Sequence, residues 1–101
     1  MIARTWNGIV PKEKADSYYN YLKQTGLNDY KNTKGNLGVK VLRRVEDQNT
    51  HFFLITFWDS YESIRQFAGS ELDKARYYPE DKKHLLELPP FAHHYEILED
   101  F

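Results

Sequence analysis

The sequence has no cysteine. That excludes a disulfide scaffold, a thiol nucleophile, a zinc–thiolate site and an iron–sulfur cluster. No apolar run approaches ~18 residues, so no segment reads as a membrane-spanning helix. An excess of one charge is missing too. The formal net charge is −1, whereas a nucleic-acid binder draws its affinity from clustered positive charge. There is no Gly-rich phosphate loop and no Gly-x-Ser-x-Gly elbow. No repeat of about 20–50 residues and no low-complexity tract breaks the chain. Met1 to Pro11 lacks the basic–apolar–small order of a secretory leader, which leaves the cytoplasm as the expected compartment. A metal site is not expected either. His93 and His94 are strand neighbours and face opposite ways, and His51, His84 and the carboxylates have no ligand spacing.

What is present suits one globular domain. The chain has 101 residues, of which 41% are hydrophobic and 16% aromatic, enough for a real core. Charge is uneven: residues 1–50 carry nine Lys/Arg against five Asp/Glu, and residues 51–101 carry five against ten. Solvated surface explains this, and so does association of two copies through surfaces of opposite sign.

Ile2 to Val10 reads as a strand ending at Pro11, which suits the first turn of a helix. Ala15, Tyr18 and Leu22 recur at helical spacing, with Gly26 as the stop and Asn28 to Gly35 as a polar loop. Residues 39–45 alternate as a strand. Glu46 to Asn49 is a turn, and His51 to Trp58 is the next strand. Asp59 or Ser60 starts a helix whose stripe is Tyr61, Ile64, Phe67 and Ala68. Gly69 ends it, and Ser70 opens a short helix through Arg76. His84 to Leu88 is an apolar patch before Pro89-Pro90, and Phe91 to Leu98 is the last strand. The order strand–helix–strand–strand–helix–strand predicts an α+β, ferredoxin-like fold with a four-stranded antiparallel sheet.

The strand 51–58 is apolar front and back. Phe52, Leu54, Thr56 and Trp58 share one face; Phe53, Ile55 and Phe57 share the other. Helices cover one face of such a sheet. Burying each of the three remaining side chains is worth about 1.5–3 kcal/mol. A second copy packed sheet to sheet provides that cover, giving a dimeric α+β barrel. The competing arrangement folds the segment 84–90 back over the open face.

Several strings carry a family likeness. Ile2-Ala3-Arg4-Thr5-Trp6-Asn7-Gly8, Phe57-Trp58-Asp59-Ser60, Ala75 to Asp81 and His94-Tyr95-Glu96-Ile97 together resemble the antibiotic biosynthesis monooxygenase family across nearly the whole chain. The resemblance implies a homodimer with one small-molecule pocket per subunit, between helices and sheet. It also implies one of several activities. The first is oxidation of a phenolic or enolic compound by dioxygen without flavin, metal or other cofactor. The second is haem binding or degradation. A non-enzymatic small-molecule-binding or stress-response module is the third reading.

Within that frame Asn7, Trp58, Arg76, Tyr77 and His94 are the candidate catalytic residues, and Thr5, Phe52, Leu54 and Tyr78 the candidate substrate contacts. Proton removal needs a base, for which His94 or His93 is suited near neutral pH. Arg76 and Asn7 are placed to stabilise an anion, Tyr77 and Tyr78 to hydrogen-bond an oxygen, and Trp58 to stack on a flat ring. Asn7 is unusual in mid-strand, where Asn is depleted. Asn7 and Trp58 match an Asn and a Trp beside the cofactor in haem-degrading relatives. Where those relatives place a histidine ligand, the resemblance places Tyr77, a less common haem ligand.

Overall fold

The computed structural model describes residues 1–101. Its elements are β1 (Ile2–Pro11), a 3-10 turn (Lys12–Lys14), α1 (Ala15–Gln24), α2 (Gly26–Asn32), β2 (Asn36–Glu46), β3 (Asn49–Trp58), α3 (Tyr61–Ala68), α4 (Asp81–His84) and β4 (His93–Glu96). The strands form one antiparallel sheet in the order β2-β3-β1-β4. This is the expected ferredoxin-like arrangement.

Register decides which side chains meet the helices. β1 and β3 pair so that Ile2 faces Trp58, Arg4 faces Thr56, Trp6 faces Leu54 and Val10 faces Thr50. Residues directly opposite share a face, and this set lies under the helices. Val10, Phe52 and Trp58 of this set are almost wholly buried, as are Tyr18 of α1 and Ile64 of α3 above it. Tyr18 and Leu22, four apart on α1, pack down onto it with Leu27 and Tyr30 of α2 and Phe67 of α3.

Four local expectations are corrected. Gly26 does not end the first helix. The chain breaks at Thr25, and a second helix runs from Gly26 to Asn32, replacing most of the loop expected there. Leu27 and Tyr30, one turn apart and buried, explain it: burial of a helical pair overrides the polar composition. No helix forms over 70–76. Arg4 draws the carbonyls of Leu72 and Lys74 to its guanidinium, and helical pairing would have used such groups internally. The stretch 69–92 is instead a strap, closed by Ala75 N–H to Pro90 O and Ala92 N–H to Asp73 O, each 2.9 Å. Its one helical turn is α4. The last strand is shorter than expected, His93–Glu96. The α3 start is as read: Ser60 Oγ accepts from Ser63 N at 3.2 Å, and Gly69, at φ 93°, ends the helix. The hairpin turn is tighter, two residues with Asp47 at φ 54°.

The other sheet face is uncovered by this chain. Phe53 is 39% and Leu42 46% exposed, with Ile55 and Phe57 half-buried beside them. The segment 84–90 does not fold over it: Leu85 joins the helix-side core, and Leu86 N–H donates to Ile9 O.

Candidate functional site

A cavity lies between sheet and strap. Arg4 and Trp6 of β1 and Leu54 of β3 form its floor. Tyr18, Tyr30 and Phe67 form its wall, and Ala75 to Tyr78 with Asp81 its roof. Gly8 makes the floor possible. The Trp6 indole lies over it, so that a methyl at Gly8 would sit 2.8 Å from Trp6 Cζ2 and Cζ3. The free volume is about 30 Å³, room for a water or two.

Roof and floor are joined by side chains. Trp6 Nε1 donates to the Tyr77 hydroxyl at 3.0 Å, and that hydroxyl donates onward to Pro89 O. Arg76 lies over the rings of Phe67 and Tyr78, 4.9 and 5.1 Å from their centroids. It donates to Phe67 O at 2.9 Å and pairs with Asp29 at 3.1 Å. Tyr78 donates to the same Asp29 oxygen at 2.6 Å.

Burial biases the titratable groups towards neutrality. Asp81 is pushed above the usual carboxylate range by desolvation, although its Oδ2 accepts from Tyr78 N at 2.6 Å. Tyr18, Tyr30, Tyr77 and Tyr78 are all raised, chiefly by desolvation, so none ionises readily. Arg4 is lowered by burial.

Of the residues singled out in the sequence, Arg76, Tyr77, Tyr78 and Leu54 line this cavity. Asn7 does not. It is exposed and pairs with Phe53, on the open face, in a shallow depression with Leu42, Arg43, Arg44 and His51. Thr5 pairs with Ile55 on that same face. Asn7 and Trp58 therefore lie on opposite sides of the sheet. Trp58 is no stacking platform either: it is wholly buried, donates to Thr56 Oγ1 at 2.8 Å, and packs on Tyr30 and Phe67. Phe52 is buried edge-on against Tyr18.

His94 takes the helix side of β4, opposite Arg4, and His93 the open side. His94 lies outside the cavity, in an adjoining recess with Tyr61, Leu72 and Asp73. Its Nδ1 is 3.2 Å from Asp73 Oδ1, and its Nε2 is buried without a partner. Burial, then the nearby Arg4 charge, hold it below the usual histidine value.

Arg4, Trp6, Tyr18, Tyr30 and Asp81 were not singled out in the sequence. A signal existed for two of them. Ile2, Arg4, Trp6 and Val10 are the bulky set of β1, and a bulky set belongs under helices; the small set Ala3, Thr5 and Asn7 pairs with Phe57, Ile55 and Phe53 on the open face.

No protein-family model matches the chain, and no curated protein does. Solved structures do. One is a putative antibiotic biosynthesis monooxygenase from Bacillus cereus, 14% identical, covering 99% of this chain and 95% of its own, with a TM-score of 0.69. A second is the haem degrader MhuD from Mycobacterium tuberculosis with two haems in its active site, 20% identical, covering 100% and 99%, TM-score 0.66. A third is an MhuD variant with two manganese protoporphyrins IX per active site, 19% identical, covering 100% and 98%, TM-score 0.63. The fold of this chain is the fold of those proteins.

The residues present do not fit haem as they stand. The cavity holds a water or two. The Tyr77 hydroxyl is engaged by Trp6 and Pro89, and burial disfavours its phenolate. No histidine lines the cavity.

Proposed function

We propose that the chain is an oxygenase that uses dioxygen without a resident cofactor on a flat phenolic or enolic compound bound between sheet and strap. One observation supports this above others: a buried carboxylate of raised pKa, Asp81, and a guanidinium, Arg76, face one aromatic-walled cavity. Asp81 takes the proton from the activated carbon or hydroxyl, in the role the sequence suggested for a histidine. Arg76, held by Asp29, faces the negative charge that develops. Tyr18 and Trp6 exclude water. The electron-rich anion then reduces dioxygen directly. For an anthrone-type methylene, one oxygen atom becomes the carbonyl and the other leaves as water with the two methylene hydrogens. Entry requires the Trp6–Tyr77–Pro89 contacts to part.

The test is dioxygen uptake with anthrone-like phenols. Uptake that falls by roughly 10²–10⁴ in Asp81→Asn supports the reading; no uptake across a broad panel removes it.

Haem is the second reading, favoured by two haem- or porphyrin-bound structures of one protein of the same fold, MhuD, and by Tyr77 at the ligand position the resemblance implies. Titration with haemin decides between them. A Soret shift lost in Tyr77→Phe would favour haem, and the absence of any shift removes it. Ligand-raised melting without turnover would point instead to the non-enzymatic binding module.

We also propose that two copies pack open face to open face. Phe53, Ile55, Phe57 and Leu42 form the apolar centre of that face.

A further inference from the structure

Two guanidinium groups reach the cavity, in opposite electrical states. Arg76 has its counter-ion, Asp29. Arg4 has none. It is 3% exposed and forms no ion pair. Its Nη2 donates to neutral carbonyls, Lys74 O at 2.8 Å and Leu72 O at 3.4 Å. Its Nε is buried with no partner at all.

The surrounding groups leave that charge standing. Tyr30 is kept neutral by burial. Asp73 is exposed and bound to His94, whose ring is itself biased to the neutral form. Phe67 offers a ring face 5.7 Å from the Arg4 Cζ. Arginine does not shed its proton in a protein. A buried cation without a counter-ion is among the most destabilising arrangements a fold can hold. A ligand that supplies the anion recovers that loss on binding.

We propose that the cavity's ligand is an aromatic carboxylate: its acid group pairs with Arg4 and its rings lie against Trp6 and Phe67. The ring half of this statement rests on the oxygenase reading; the acid half does not follow from it. The cavity's free volume of about 30 Å³ holds a water or two, so the acid enters only as the Trp6–Tyr77–Pro89 contacts part. Arg4 and Trp6 are two residues apart on one face of β1, a spacing of roughly 6.5–7 Å, so that one ligand reaches both. The charges also set an orientation. Asp81 repels the carboxylate, so the acid lies at Arg4 and the reacting end of the ring system turns towards Asp81.

The test compares binding of 3-hydroxy-2-naphthoate, its methyl ester, 2-naphthol and acetate to the intact protein by calorimetry at neutral pH. The acid should bind at least tenfold tighter than its ester and than 2-naphthol, with acetate far weaker. The preference should vanish in Arg4→Met and survive in part in Arg4→Lys. The acid-to-ester comparison needs no variant, so it stands even if Arg4→Met fails to fold. Equal affinity for acid and ester overturns the proposal, and if anthrone-like phenols still consume dioxygen, the oxygenase reading survives it. Acetate binding as tightly as the naphthoate would mean a simple anion site, which also overturns it. If no naphthalene compound binds and no phenol consumes dioxygen, both readings fall.

Discussion

Asp81 and His94 are pushed in opposite directions by one cause. Burial favours the neutral form of each, raising the carboxyl and lowering the imidazole. The folded chain holds the Asp81 proton more tightly than the unfolded chain does. The stability this contributes is full below the ordinary carboxylate value, about 4, and is lost as pH rises through the folded-state value. Asparagine can still accept from Tyr78 N and carries no charge. Asp81→Asn should therefore melt above the parent at pH 7, with the gap closing towards pH 4, even as turnover is lost; thermal melts at the two pH values check this. His94 has the opposite sign. Its contribution is present above the ordinary histidine value, about 6.5, and is lost as pH falls through its lower folded-state value. Arg4 opposes its protonation and the exposed Asp73 only partly offsets that. In His94→Gln the acid-side loss of melting temperature below pH 6.5 should shrink; an unchanged profile would show that the imidazole is not the group titrating.

The elements carry a different kind of dependence. β1 works as a floor because Gly8 has no side chain under the Trp6 indole. In Gly8→Ala the ring must move, and the Trp6–Tyr77 hydrogen bond goes with it. Overpacking of this kind typically costs about 1–3 kcal/mol. The expected readout is a lower denaturation midpoint with red-shifted tryptophan emission. Element order and the two apolar faces of β3 were legible in the chain because alternation is a local property of Phe52 to Trp58. The α3 cap was legible for the same reason. The parity of β1 was not, because no residue of that strand states which partner it meets. Asn7 drew attention as an odd strand residue, yet pairing with Phe53 turns it outwards. The absent helix over 70–76 was equally hidden. Its carbonyls are claimed by Arg4, about 70 positions earlier in the chain, and sequence periodicity does not register so distant a partner.

At the scale of the whole molecule, the open face sets the expected assembly. Phe53 stands at its centre, opposite Asn7 on β1 and Leu42 on β2. Phe53→Glu places a charge where two copies would meet and leaves the helix-side core untouched. Sedimentation at micromolar concentration should show two-chain particles for the parent and single chains for the variant. A parent that sediments as single chains would remove the paired arrangement.

The cavity has a woven floor and a pinned ceiling. The floor is strands laced together along their length, whereas residues 69–92 are fastened at scattered points such as Trp6 to Tyr77 and Arg4 to Lys74. A surface held by isolated pins can be rewritten stretch by stretch without unravelling what lies beneath. Chemical taste can thus diverge through this one ribbon while the architecture below is inherited intact, which makes 69–92 the place to exchange when redirecting the protein to a new compound.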